Sequence, residues 1–491
     1  MSALDVLLTL DAAATGNAQR RCTVRHRYLS YAPMVIVAYR MSGEAGAPLG
    51  VCFGTSRDDA TVLVAPEPRN RTIRFREVLN PLAASITSWL SNFEYTQPDE
   101  KKPERSICIQ APQIFVPNRA TASFVSSVLG RSLRYLRNHD DFPIPEATRL
   151  LGTHMTWFDQ QSQVPGSCVM SVGTDLLRRH WATGQSSLED EDLHVLLGWI
   201  NPPNGLNGAE AAELAEEHRL VTALPSIGPT PDPQWDRDVL DKAISQFNEA
   251  RGTDESAAAV EAHGGEIQAA VEAVLEPGWQ ATWDAHELML SWPVGDSVAA
   301  RWMGDKRAWT SHVQRVQDGE AFFRIKDTAK QAAFALASFE RAQRNLDIGE
   351  ALDDPLVIAA LVANGDALLG TVVDHDASNT EPGKGKARKY RPLVVLQLDD
   401  PCPIPLGGKL AWRDRPKMRV EVTAIDGHQV TLKVFAGMGT RPNPQPLPPI
   451  GSDAVFADVN DNSPPSPRPP QDVPWTHVGV DTPRYLSETP E

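Results

Sequence analysis

The sequence predicts a multidomain α+β protein, with a mixed α/β region at the amino end, an acidic helical middle, a small β-barrel of the OB or SH3-like sort, and a Pro-rich tail. Three observations carry this expectation. Apolar residues alternate with a period of two in the first hundred residues and again after residue 366, they recur every three or four residues in between, and Pro and Gly concentrate at the seams. A chain of 491 residues is about three times the length expected of one domain. The expected boundaries are 1–200 for an α+β domain, 201–235 for a linker, 236–365 for an acidic helical domain, 366–460 for the barrel and 461–491 for an extended tail.

In the first region TVRHRYLSY, MVIVAYRM, LGVCFGT, TVLVAPEP and SICIQAPQIFV are short, rich in Val, Ile and Tyr, and bounded by turn residues, as strands are. PLAASITSWLSNF has helical spacing, and Pro81 suits its first turn. TASFVSSVLGRSLRYLR then sets Val125, Val128, Leu129, Leu133 and Leu136 on one helical stripe. EATRLLGTHMTWFDQQ and CVMSVGTDLLRRHW follow as helices, and SSLEDEDLHVLLGWI opens with a capping-box spacing at Ser186 and Glu189. NPPNGLNG and LPSIGPTPDPQW make 201–235 a connection. The middle is helical and rich in Ala and Glu, with Asp327 or Thr328 as the cap of DTAKQAAFALASFERAQRNL.

Beyond 366, ALLGTVVDHD, RPLVVLQLDD, KLAWRD, KMRVEVTAID, HQVTLKVFAG and SDAVFADV read as barrel strands, with a tight hairpin at Asp426 and Gly427. Residues 441–491 hold 13 of the 40 prolines, so the end is expected to be extended and to dock through Trp475 or Tyr485.

The net charge of −16 is unevenly spread. Basic residues outnumber acidic ones by 17 to 12 over 1–140, acidic outnumber basic by 35 to 16 over 141–365, and 366–491 is near balance with 14 basic and 16 acidic. The acidity therefore belongs to the middle, and the amino-terminal region and barrel can still meet a polyanion. Five scattered cysteines, Cys22, Cys52, Cys108, Cys168 and Cys402, form no CxxC pair and are expected as reduced, mostly buried thiols. No run of about 18 apolar residues is present, and MSALDVLLTLDAAATG lacks the basic start of a secretory signal, so a cytoplasmic protein is expected.

The chain contains no GxxxxGK[ST] phosphate loop, no GxGxxG and no GxSxG elbow. ATP hydrolysis by this chain is therefore not expected, and no cofactor is expected either.

Two basic features point to phosphate contacts. PGKGKARKYRP, residues 382–392, supplies Lys384, Lys386, Arg388, Lys389 and Arg391 in a loop between the first two barrel strands. Arg131, Arg134 and Arg137 share a helical face beside Tyr135, and Arg71, Arg74 and Arg76 alternate in EPRNRTIRFRE in a strand-like way. Solvated charged faces are the competing explanation for both. Arg20, Arg21, Arg25 and Arg27 add to the same local excess.

The expected function is that of a non-catalytic accessory or adaptor protein that binds nucleic acid and a protein partner. That partner is expected to be the ATPase or helicase subunit of a bacterial nucleic-acid-processing or defence system. The rival is a metal-dependent, phosphodiesterase-like hydrolase centred on Asp374, His375 and Asp376, where imidazole and carboxylates at a strand end could hold a divalent ion. A scaffold that touches only protein is the third expectation. His154 and His286 lie near carboxylates, but at spacings that do not share a helical face.

Overall fold

The computed structural model describes residues 3–42, 48–99, 102–137, 142–222, 232–252, 257–323, 327–382, 388–438 and 447–458. Its centre is a five-stranded sheet in the order Thr61–Val64, Pro48–Gly54, Met34–Arg40, Ile114–Val116, Met170–Val172. The first three are antiparallel neighbours, whereas Ile114–Val116 joins Met34–Arg40 in parallel and Met170–Val172 joins Ile114–Val116 in parallel. Side chains on a strand alternate between faces. Met34, Ile36 and Ala38 accordingly enter one hydrophobic cluster, and Val35, Val37 and Tyr39 enter another.

Helices cover both faces. On the first face lie Asn80–Ser91, the helix Arg119–Phe124 with its wide-turned continuation Val125–Ser132, Glu146–Ser162, and Val298–Gln317. On the second lie Gly173–His180, Leu193–Ile200, Asp241–Gly252 and the long Ala257–Leu290. Residues from both sides of 201–235 therefore build the same two cores. Tyr39 reinforces this by donating its hydroxyl to Asp236 Oδ1 at 3.1 Å, while the Ser42 N–H donates to Oδ2 at 2.6 Å. Segment 201–235 itself contains the helix Gly208–Thr222. Gly152 marks a close helix crossing, because a Cβ there would stand 2.4 Å from the Arg134 backbone nitrogen.

Four local expectations are corrected. CVMSVGTDLLRRHW is not helical throughout, because Met170–Val172 pairs into the central sheet and the helix begins only at Gly173. TVRHRYLSY forms no strand. Its backbone is taken by side chains and loops: Thr23 and Val24 donate to Asp354, Arg25 to the Pro293 carbonyl, and Ser30 to Gln113. EPRNRTIRFRE is helical over Arg71–Arg74 and Phe75–Leu79, because Asn70 caps the Thr72 and Ile73 N–H groups and Ile73, Phe75, Val78 and Leu79 turn inward. The Ser186–Glu189 box does form, but it opens only the short turn Glu189–Glu191, and Asp192 caps the helix that follows. Thr328 caps Ala329–Asp353 in a full capping box with Gln331.

The carboxyl-terminal strands Ala367–Asp376, Leu393–Gln397, Gln429–Ala436, Arg415–Asp426, Lys409–Trp412 and Asp453–Ala457 close, in that order, into an antiparallel barrel. Val372, Val394, Leu396, Val420, Leu432 and Phe456 fill its interior. Asp426 pairs with Gln429 across a two-residue turn that starts at Gly427, whose φ is 59°. A bulge between Val372 and Asp374 bends the first strand. Gly370 lies where that strand crosses the next, and a Cβ there would sit 2.6 Å from the Gln397 carbonyl oxygen. The helix Pro355–Ala363 leads into the barrel and packs Ile358 against Ala367, Ala411 and Ala457. Among the described residues, no helix is long and apolar enough to cross a membrane. The tail 461–491, with Trp475 and Tyr485, lies outside the described residues.

Candidate functional site, an arginine-lined cleft

Because Ile114–Val116 and Met170–Val172 run parallel, their carboxyl ends reach the same edge of the sheet. There the chain turns into two helices, Arg119–Phe124 after the cap Asn118, and Gly173–His180 directly after its strand. The Thr174 N–H donates to the Pro117 carbonyl at 3.0 Å and ties the two turns together. A cleft of about 970 Å³ opens at this edge. Binding crevices are common at such edges, where loops and helix starts can vary without disturbing the sheet.

Arg21, Arg27, Arg119, Arg178 and Arg179 line one part of the cleft. Leu4 and Leu8 of the first helix, Ala3–Thr15, and Val357 and Leu361 of Pro355–Ala363 line another. Most of the arginines are held by carboxylates. Arg119 Nε meets Asp175 at 2.8 Å, Arg178 meets Glu191 at 2.8 Å and Asp190 at 3.5 Å, and Arg179 pairs with the buried Glu350. Arg21 approaches Asp5 at 3.7 Å and donates to the Arg178 carbonyl. Arg27 donates to the Ser167 carbonyl at 2.5 Å. These contacts fix the guanidinium groups in position, and the lining carboxylates Asp5, Asp159, Asp175 and Glu350 offset most of their charge. The Ser171 hydroxyl also lines the cleft, buried and without a hydrogen-bond partner.

Behind this wall lies a buried group of three. Cys22, which lines the cleft, stands with His26 and Asp354 so that their sulfur, nitrogen and oxygen atoms all fall within 4.8 Å of one another. Among the described residues this is the one set of three or more His, Cys, Asp and Glu that converges in this way. His26 Nε2 lies 3.3 Å from Asp354 Oδ2, and the His180 ring stacks on His26 with centroids 6.1 Å apart.

Asp354 caps Pro355–Ala363 through the Leu356 N–H at 2.9 Å. It also accepts from the Thr23 N–H at 2.6 Å, the Thr23 hydroxyl at 3.0 Å and the Val24 N–H at 3.2 Å. Burial by itself would raise its pKa, but His26, Thr23, Leu356 and Val24 outweigh burial and hold the carboxyl well below the usual carboxylate range. Burial, with Asp354 and Glu350 nearby, pushes the Cys22 thiol up to about 12. Burial also lowers His180 to about 4. A thiol at that value is not a free nucleophile at neutral pH.

The residues expected from sequence to touch phosphate fall on three separate elements. Arg388 and Lys389 belong to a small hairpin, Thr380–Pro382 with Arg388–Tyr390, and Arg391 follows it directly, while Lys384 and Lys386 lie outside the described residues. Arg388 folds back onto the Thr380 hydroxyl and carbonyl at 2.6 and 3.0 Å. Arg391 approaches Glu381 at 3.9 Å, and Lys433 meets the same carboxylate at 2.9 Å. That cluster, with Lys389 nearby, lowers the Glu381 pKa, Lys433 foremost.

Arg131 is exposed and acts against the burial that raises the pKa of Asp159, which lines the cleft. Arg134 covers the Tyr135 and Phe323 rings, and Arg137 lies exposed beyond the helix. Arg71 covers Phe142, Arg74 donates to the Pro68 carbonyl, and Arg76 pairs with Glu77.

Asp374, His375 and Asp376 do not converge on a common point. Asp374 accepts from the His375 N–H, and Asp376 accepts from the Ser378 N–H and hydroxyl. His286 is buried against the Ser30 carbonyl at 2.9 Å, and His154 against His312 at 3.0 Å.

Sequence reading counted Arg21 and Arg27 within a local excess but missed Arg119, Arg178, Arg179 and the whole buried group. The four-residue spacing of Cys22 and His26 in CTVRH was the available signal, but Asp354 arrives more than three hundred positions later. No family model, no curated protein and no solved structure matches this chain.

Proposed function

We propose that the protein is an accessory protein that binds nucleic acid through the arginine-lined cleft and a protein partner through a separate surface. The observation that carries this reading is the gathering of five arginines beside an apolar wall at the carboxyl ends of two parallel strands. Guanidinium groups pair with phosphate oxygens in a fork geometry that lysine does not match. Leu4, Leu8, Val357 and Leu361 offer the sugar and base an apolar surface. A cleft of about 970 Å³ is of the size that holds a small ligand or one or two nucleotides. Arg131, whose charge acts on Asp159 of the cleft lining, adds an exposed guanidinium, and the barrel, which we read as OB or SH3-like, adds the hairpin with Arg388, Lys389 and Arg391.

The partner surface is the helix Ala329–Asp353, where Phe334, Leu336 and Phe339 are exposed, with the largely exposed Phe322 before it. Because the chain has no phosphate loop, an ATPase or helicase partner would supply any energy-dependent step.

Fluorescence anisotropy of the whole chain with labelled single-stranded DNA and RNA oligonucleotides, at low and moderate salt, tests the proposal. Affinity is expected to fall as salt rises, because phosphate contacts release counterions. A double variant, Arg119→Gln with Arg178→Gln, is expected to bind about tenfold more weakly, a loss of about 1.4 kcal/mol. Binding that ignores both salt and these substitutions rejects the reading.

A further inference from the structure

We propose that Cys22, His26 and Asp354 form a site for a divalent transition metal, zinc first, set in the wall of the cleft. The proposal does not depend on nucleic-acid binding. Thiolate, imidazole and carboxylate together are a donor set that favours zinc over calcium or magnesium, which take oxygen ligands. Two ligand atoms at ordinary zinc distances on one tetrahedral ion stand about 3.4 Å apart. His26 Nε2 and Asp354 Oδ2 are 3.3 Å apart, and the third donor already lies within 4.8 Å of both.

The imidazole supplies the second, independent observation. His26 is 1% exposed; its Nε2 faces only Asp354, at 3.3 Å, and its Nδ1 has no hydrogen-bond partner. A buried imidazole in that condition is costly unless something else takes its lone pair. The hydrogen bonds to Asp354 from Thr23, Val24 and Leu356 do what outer-shell donors do at metal centres, which is to fix the carboxylate's orientation. Oδ2 already accepts from Thr23 and Val24, so the metal would take the place of the longer of these bonds, that from the Val24 N–H at 3.2 Å. Zinc with one thiolate and one carboxylate is a neutral centre, which suits a buried place. Binding releases the Cys22 proton to solvent. Because Cys22 also lines the cleft, the fourth position would be open to water or to a ligand held there.

The test uses the full chain, stripped with chelator and titrated with cobalt(II) and zinc. One equivalent of cobalt is expected to give a near-ultraviolet thiolate-to-metal band that zinc abolishes. Cys22→Ser and His26→Gln are expected to lose the band, and Cys402→Ser is expected to keep it. Zinc-edge X-ray absorption of the loaded wild type, which needs no variant to fold, is expected to show one sulfur neighbour among nitrogen and oxygen. Absence of the band in wild type, its persistence in Cys22→Ser, or a zinc shell without sulfur overturns the proposal.

Discussion

The barrel hairpin and the cleft both gather cations beside carboxylates, yet they are built in opposite ways. The hairpin's cations are neighbours in sequence, but the structure folds Arg388 onto Thr380 and gathers Arg391 and Lys433 around Glu381. The arginines of the cleft come from positions 21, 27, 119, 178 and 179, and the fold brings them to one edge. Density of charge along a chain is therefore a poor guide to density of charge in space, because both surfaces carry counter-ions, Glu381 in the hairpin and Asp175, Glu191 and Glu350 in the cleft.

The same contrast extends to stability. The barrel is closed by strands that mostly follow one another, whereas the cleft depends on contacts between remote segments such as Thr23 and Asp354, 331 residues apart. Replacing Asp354 by Ala should have the largest effect. It removes a helix cap and leaves the Thr23 and Val24 N–H groups without their acceptor, a loss of about 3 kcal/mol or more. Urea unfolding followed by tryptophan fluorescence measures it, and a loss below about 1 kcal/mol would mean that the cleft is no more fragile than the barrel.

Acid should act next, through the buried histidine pair His154 and His312 between Glu146–Ser162 and Val298–Gln317. Burial lowers His154 to about 4, and His312, which also faces His154 and Arg315, is lowered to about 2. A group whose folded pKa is depressed takes up its proton more readily when unfolded, so stability should be full above about pH 6.5 and fall as pH drops towards 4. The loss attributable to His154 is about 2 kcal/mol by pH 5. Thermal midpoints from pH 7 to pH 5 should fall less steeply in His154→Gln, and parallel slopes would remove the pair as the cause.

Gly370→Ala tests the barrel by itself. A Cβ 2.6 Å from the Gln397 carbonyl should cost about 1–3 kcal/mol. The barrel is expected to loosen while the cleft persists, which hydrogen exchange of Met34–Arg40 against Leu393–Gln397 can separate. Equal loss of protection in both strands would show that the two regions unfold as one.

The smallest effect should come from the hairpin. Changing Lys384, Lys386, Arg388, Lys389 and Arg391 to Ser should weaken oligonucleotide binding less than the tenfold expected of the Arg119 and Arg178 pair, because Arg388 and Lys389 stand exposed to solvent, where salt screens their charge. A larger loss than from the cleft pair would reverse the ranking of the two surfaces.

Much of the fold was legible where interactions are local. The barrel strands carry a period of two broken only locally by bulges, and Thr328 and Gln331 announce a helix start three residues apart. EPRNRTIRFRE misled because its arginines alternate by chance with Ile73 and Phe75, while Asn70, a helix cap, carried the better signal. TVRHRYLSY misled because its apolar and polar residues serve remote partners rather than a neighbouring strand. At the candidate site, Cys22 and His26 could be seen as a spaced pair, but nothing local joins them to Asp354.

The sequence by itself determined a mixed helical and strand protein, the closing strands of the barrel, the absence of a phosphate loop, and where the acidity lies, because each follows from periodicity or composition over a few neighbouring residues. Only the tertiary structure decided that helices of the acidic middle share the cores of the amino-terminal sheet, and that five distant arginines and a Cys-His-Asp group meet at its edge. Parallel strands need long crossovers, so what gathers at their carboxyl ends is drawn from segments that chain proximity never places together.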